Sequence, residues 1–370
     1  MKHAGLYLHI PYCAKKCAYC DFPSWSGRMD TARPYIRRML REMEEKAGSR
    51  VIDTLYIGGG TPSLLPPALM KELLGGVKAC FEFAPGAECS CEANPGALSE
   101  RMLEVLTEGG INRLSLGAQA FQEGVLARLG RIHKWRDVER AVSMAKAAGI
   151  ENINLDLMFS LPGQTVQDWR ETLEAALSLK PKHLSCYALI PEEGTPMKDA
   201  LDRGEWQLTS DEEDRQMYEL CRCLTERAGM VQYEISNFAL PGYECRHNTD
   251  CWKRREYIGI GCSACGFING VRYRNADTLD GYLAGELPEK EIISPREAMF
   301  ESMMLGLRMT GGVRDDLFRK DHGMGIMEAF GEKTESVIRQ GLAEWRDGCF
   351  RLTRKGMDVQ NRVLVELMDD

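Results

Sequence analysis

Along residues 1–200 the apolar positions follow two alternating rhythms. Short apolar runs at 6–10, 54–57, 88–92, 112–119, 152–156 and 183–187 read as strands. Between them, residues 34–46, 67–80, 100–108, 135–148 and 166–179 repeat apolar side chains at spacings of three and four, as at Met102, Leu103 and Leu106. Such stretches read as amphipathic helices, and Gly109 and Gly149 close two of them. Strands alternating with helices of this length predict right-handed crossovers and a parallel sheet. Six units fit residues 5–200, fewer than a closed eightfold barrel requires. The expected fold class is therefore α/β, a partial barrel.

Past residue 200 the rhythm changes. Residues 202–228 predict one charged amphipathic helix and 233–238 a strand. Residues 295–370 read as helices, a hairpin at Asp347-Gly348, and a last helix capped by Thr353. The expected divisions are a barrel over 1–235, a connector over 236–294 and a smaller α+β domain over 295–370.

Polar residues gather where the strands end. Glu92, Gln119 and Asp156 each stand at or near the carboxyl end of a predicted strand, and Gly58-Gly59-Gly60-Thr61-Pro62 follows another. In barrels of parallel strands, sites are built at that end. Glycine there lets backbone groups approach a ligand that a Cβ would hold off.

The most specific chemistry follows the first strand. Cys13, Cys17 and Cys20 form a C-x3-C-x2-C array. On spacing alone, half a zinc site or a disulfide fragment are alternatives, but zinc usually takes paired C-x2-C motifs or downstream histidines. Three thiolates from one loop can hold three irons of a [4Fe-4S] cubane, and no fourth cysteine follows at a spacing that closes the set. One iron stays open to a ligand.

Composition narrows the setting. The chain has 370 residues, 44% of them hydrophobic, with fourteen cysteines and a net charge of −8. No apolar run approaches the roughly 20 residues that span a bilayer. The amino-terminal residues lead into a strand rather than a secretory apolar segment, so a cytoplasmic protein with free thiols is expected. The negative balance disfavours nucleic-acid partners.

Together, the cysteine loop, Gly58-Gly-Gly-Thr-Pro62, Ser115-Leu-Gly-Ala-Gln119 and Asp156-Leu-Met-Phe-Ser-Leu-Pro-Gly-Gln164 resemble the oxygen-independent coproporphyrinogen III oxidase-like radical S-adenosylmethionine (SAM) family. The resemblance covers nearly the whole chain. It implies a partial (β/α)6 barrel with a winged-helix-like C-terminal domain, and SAM held at the open iron. On the matching positions it implies that Tyr7 and Tyr19 flank the cluster. It also implies that Gly59, Gly60 and Thr61 contact the methionine end, and that Glu92, Gln119, Arg131 and Asp156 complete the SAM pocket. The residue types suit those roles: Glu92 accepts from an ammonium, Arg131 pairs with a carboxylate and Asp156 takes ribose hydroxyls.

Two branches of the family differ in chemistry. The decarboxylases carry a fourth cysteine two residues after the third and an N-terminal extension ahead of the barrel; here Phe22 stands at that position and the barrel is expected to start by residue 5. Both features resemble instead the haem chaperone branch, whose members bind haem and pass it to acceptor haem proteins. That branch implies haem as a third bound group and leaves a homodimer open. Its His-Asn-x-x-Tyr-Trp motif matches His247-Asn-Thr-Asp-Cys-Trp252, with Cys251 in place of tyrosine and Cys265 where histidine is usual. His247 is thus the expected haem-binding residue, with a neighbouring cysteine as the alternative axial ligand. Oxidative decarboxylation of coproporphyrinogen III, or a radical reaction on another small molecule, is the competing reading. Cys262 and Cys265 form a C-x2-C pair able to bind metal or oxidise, while Cys89/Cys91 and Cys221/Cys223 read as packing.

Overall fold

A computed structural model describes residues 2–48 and 50–368; Met1, Ser49, Asp369 and Asp370, the last two within the expected C-terminal domain, lie outside it. The main sheet is assembled from β1 (Lys2–Ile10), β2 (Arg50–Gly59), β3 (Glu82–Ala93), β4 (Arg113–Gln119), β5 (Asn152–Phe159) and β6 (His183–Ala188). All five pairings between these neighbours are parallel. The crossovers carry α1 (Ala32–Lys46), α2 (Pro67–Cys80), α3 (Glu100–Glu108), α4 (Trp135–Ala147) and α5 (Val166–Ser178). The expected helices therefore stand within two residues of their predicted ends. Capping side chains help to fix the starts: Ser99 accepts from Met102 N before α3, and Thr165 forms a capping box with Asp168 before α5.

Alternation along each strand divides the two faces. Leu6, Leu8 and Ile10 of β1 point outward into a core with Tyr35, Ile36, Met39 and Met43 of α1, all fully buried. The inward positions are polar: Tyr7 and His9 on β1, Thr54 and Tyr56 on β2, Glu88 and Glu92 on β3, Asn154 and Asp156 on β5. A half-barrel with a polar lumen results.

Three expectations change. The helix expected over 202–228 begins only at Asp211, as α6 (Asp211–Arg227), and a separate helix, Pro196–Asp202, ends before it, because Gly204 takes φ +70° and Ser210 opens a new capping box with Glu213. The strand over 233–238 is split into β7 (Val231–Gln232) and β8 (Asn237–Ala239). Between them the buried Glu234 turns away to pair with Arg308 at 3.1 Å. Residues 236–294 do not stand apart as a connector. After α7 (Arg246–Trp252), β9 (Tyr257–Ile260) pairs parallel with β1, and β10 (Cys265–Ile268), β11 (Val271–Arg274) and β12 (Glu289–Ile292) extend the same sheet. The full order is β12-β11-β10-β9-β1-β2-β3-β4-β5-β6-β8-β7. Ile258 and Ile260, in register with Leu6 and Leu8 and so on the same outward face, draw this late segment onto the same core.

The C-terminal domain has a core of its own, around Met303, Leu307, Ile326, Val337, Phe350 and Val363. It contains α8 (Pro295–Gly306), α9 (Asp315–His322), α10 (Ile326–Arg339) and a three-stranded sheet. Its hairpin turns at Asp347 and Gly348, both at positive φ, and Thr353 caps the helix that follows. Helices followed by this hairpin give the winged-helix-like outline.

Candidate cofactor cavity and the barrel floor

At the carboxyl ends of the strands lies a cavity of about 430 Å3. Cys13, Cys17 and Cys20 line it together with Tyr19, Gly59, Gly60, Thr61, Glu92, Gln119, Arg131 and Asp156. Eleven of the thirteen residues expected at the site thus share one cavity. Tyr7 and His247 do not line it.

The loop is shaped by backbone bonds. Cys20 N donates to Cys17 O at 3.2 Å, Ala18 N to Leu129 O at 3.0 Å, and Thr61 N to Tyr12 O at 2.8 Å. Gly60 is packed so closely that a Cβ would come within 2.7 Å of Tyr12 O and 3.0 Å of Ile10 O. Gly59, at φ +113°, donates its N–H to Glu92 Oε2 at 3.2 Å. These contacts hold the glycine turn against the cysteine loop.

All three cysteines are free thiols, and burial pushes the Cys20 thiol up to about 11. Arg131 reaches the loop: Nη1 lies 3.6 Å from Cys17 Sγ and Nη2 donates to Gly117 O at 2.5 Å, while its buried Nε has no partner among the described residues. Among those residues no three His, Cys, Asp or Glu side chains converge around a point for a single ion. A cubane asks for a different arrangement, one thiolate for each of three irons. Three free thiols on one loop, a close glycine cradle and a guanidinium with an unanswered donor fit a cluster and an amino-acid ligand.

The opposite wall is acidic. Burial, and then the charge of Asp156, push the Glu92 carboxyl up to about 7. Tyr56 donates its hydroxyl to Glu92 Oε1 at 2.9 Å. Burial also raises the Asp156 carboxyl, opposed by donors from Ser115 Oγ at 2.9 Å and Asn154 Nδ2 at 2.8 Å. Two desolvated carboxylates facing one cavity make a site for a cation. Tyr56, Ser115, Asn154 and Tyr187 were absent from the sequence-level site; their signal was the period of two, each sitting two or four places from an inward polar residue on its strand.

His247 lies deeper, on α7, which plugs the lumen at the amino ends of the strands. It is 5% exposed. Its Nδ1 is hydrogen-bonded to Thr54 Oγ1 at 2.9 Å, and its ring stacks on Tyr56 at 5.3 Å and on Tyr7 at 6.5 Å. Its backbone N donates to Glu88 Oε1 at 3.3 Å. Burial lowers its pKa to about 4. The expected haem-binding residue is thus a buried post under the cofactor cavity, because the helix that carries it folds into the barrel floor. Cys251 beside it is half-buried, and Cys262 is buried with Sγ donating to Ala276 O at 3.2 Å.

The half-barrel with a three-cysteine loop after its first strand defines a radical SAM protein, and the Radical SAM superfamily matches residues 7–176. The HemN C-terminal domain family matches residues 293–359. The haem chaperone HemW of Lactococcus lactis is 35% identical, covering 100% of this chain and 98% of its own length. That of Bacillus subtilis is also 35% identical over 96% and 97%, and that of Escherichia coli 37% over 82% of each. The chain belongs to the HemW family. Among solved structures, the coproporphyrinogen III oxidase HemN of Escherichia coli superimposes with a TM-score of 0.86 over 99% of this chain and 90% of its own, at 21% identity. That likeness is one of fold. Membership of the radical SAM superfamily implies a [4Fe-4S] cluster and SAM. Among the described residues no helix is long and apolar enough to cross a membrane.

Proposed function

We propose that this chain is a haem chaperone: it binds haem, holds a SAM-ligated [4Fe-4S] cluster, and delivers haem to acceptor haem proteins. The observation that carries the reading is the full-length match, at about one residue in three, to relatives named as haem chaperones. In this reading Cys13, Cys17 and Cys20 hold three irons of the cluster. Gly59, Gly60 and Thr61 meet the methionine end of SAM, Glu92 takes its ammonium and Arg131 its carboxylate. Asp156, oriented by Ser115 and Asn154, accepts from the ribose hydroxyls, and Gln119 and Tyr19 close the sides. The cluster, when bound, supplies an electron to the sulfonium of SAM. The protein's part is to bind, orient and exclude water. The reading includes a reducing cytoplasm, supported by fourteen cysteines that are all free.

The competing function is oxidative decarboxylation of coproporphyrinogen III. Phe22, at the position of the decarboxylases' additional cysteine, is 60% exposed at the cavity mouth and speaks for the chaperone. The deciding experiment uses one anaerobically reconstituted sample. Haem titration, transfer to an apo-globin, and an assay for decarboxylated coproporphyrinogen are run side by side. Haem binding and transfer without product are expected; product without haem binding overturns the chaperone reading.

A further inference from the structure

Asp156 stands at the end of a row of buried polar side chains that starts at the amino end of α7. Asn154, His183, Tyr233 and Cys245 are each 7% exposed or less. Cys245 N lies 3.2 Å from Tyr233 Oη, and Tyr233 Oη 2.8 Å from His183 Nε2. His183 Nδ1 lies 2.6 Å from Asn154 Oδ1, and Asn154 Nδ2 2.8 Å from Asp156 Oδ1. The hydrogen bonds are continuous from Cys245 to Asp156.

Every proton in the row has one direction. Cys245 N is a backbone amide and can only donate. Its place is fixed, because Glu88 Oε1 accepts from Arg246 N at 2.9 Å, from His247 N at 3.3 Å and from Cys245 Sγ at 3.6 Å. Tyr233 Oη therefore accepts from Cys245, and its own proton goes to His183 Nε2. Burial, and then the charge of Arg113, disfavour a second proton on His183, so the neutral ring carries its proton on Nδ1. That N–H donates to Asn154 Oδ1, which leaves the Asn154 amide nitrogen facing Asp156.

Two hydroxyls also touch the Asn154 amide, Ser185 Oγ at 3.2 Å from Oδ1 and Ser115 Oγ at 2.7 Å from Nδ2. A hydroxyl both donates and accepts, so either would follow a reversed amide. His183 would not, because its tautomer is set from the backbone of α7.

We propose that His183 is a positioning residue that makes the SAM site selective for ribose hydroxyls, with Tyr233 setting its tautomer. The proposal rests on the reading of Asp156 as acceptor of those hydroxyls and deepens it. An ionised carboxylate answered by Asn154 Nδ2 keeps its remaining lone pairs for hydroxyl protons. With the amide reversed, Asn154 Oδ1 would face Asp156 Oδ1, and two acceptors so close need a proton between them. A carboxyl oxygen holding that proton could not accept from a ribose. Burial of Asp156 already favours the protonated form, so the Asn154 donor tips the balance.

The test measures binding of SAM and of its 2′-deoxy and 3′-deoxy analogues to the anaerobically reconstituted full-length protein by calorimetry. The unaltered chain should prefer SAM over at least one analogue by about tenfold, the worth of a hydrogen bond to a charged group. His183→Leu should remove most of that preference by weakening SAM alone, since the analogue lacks the hydroxyl at stake. Tyr233→Phe frees the tautomer and should act in the same direction; it carries the test if His183→Leu fails to hold cluster iron. His183→Asn, whose amide can donate from the place of Nδ1, should restore most of the preference. Equal weakening of SAM and both analogues would show a purely structural role and overturn the proposal. So would an unchanged preference in His183→Leu and Tyr233→Phe. If the unaltered chain shows no preference for the hydroxyls, the Asp156 reading itself fails, and the proposal with it.

Discussion

Tyr56 lies between His247 and the cofactor cavity: its ring stacks on the imidazole with planes 26° apart, while its hydroxyl donates to Glu92 at 2.9 Å. A buried column thus joins the floor of the barrel to the acidic wall of the site. Burial shifts the groups at its two ends in opposite directions, Glu92 upward and His247 downward, and both shifts make the protein sensitive to acid.

At the upper end, a cationic ligand requires Glu92 ionised, whereas the empty protein holds its proton up to about pH 7. Below that pH, binding must expel a proton. SAM affinity should fall toward tenfold per pH unit between 7 and 5, measured by calorimetry. Glu92→Gln should bind SAM weakly at every pH and show no such slope; a wild-type affinity that is flat over this range would refute the assignment.

At the lower end, His247 titrates near 4 in the folded protein against about 6.5 when unfolded. The unfolded chain therefore takes up the proton first. This stability is fully present above pH 6.5 and is lost as pH falls toward 4, amounting to about 3 kcal/mol. Denaturant melts at pH 7.5 and 4.5 should show a smaller acid loss in His247→Gln than in the unaltered chain.

The cysteine loop makes a plainer prediction. Alanine at Cys13, Cys17 or Cys20 should cost nearly all reconstituted iron and its visible absorbance, since each is one of only three thiolates on the cavity wall. Full iron in any one variant would reveal a fourth protein ligand.

Glu42 offers a test of the fold. It is 3% exposed on α1, accepts from Tyr282 at 2.5 Å, Asn275 at 2.7 Å and Gly261 N at 3.1 Å, and pairs with Lys46 at 2.6 Å. Glu42→Ala should destabilise the protein by about 3–5 kcal/mol, because Lys46 and the buried donors lose their partner. A thermal melt within a degree or two of the unaltered chain would contradict this.

The cofactor cavity was legible in the sequence because its parts are local. Each ligand group sits on its own loop or strand end, so spacing and the βα rhythm alone bring Cys13, Gly60, Glu92 and Asp156 to one rim. The barrel floor was not legible. The burial of His247 depends on where α7 lands, and that follows from the pairing of residues 257–260 with 5–8, a contact between residues 252 positions apart in sequence. The break at Gly204 and the split around Glu234 escaped for a related reason: one was a lone glycine within a charged stretch, the other a buried ion pair with residue 308.

The same pairing sets an order of events during synthesis. Until Tyr257–Ile260 has left the ribosome, the strand that carries the cysteine loop is an unpaired sheet edge, although it was made first. Such a long-range closure is slow. The loop should therefore gain its final rigidity only after more than two-thirds of the chain exists, which places cluster insertion late, on a nearly finished protein, rather than on the emerging amino terminus.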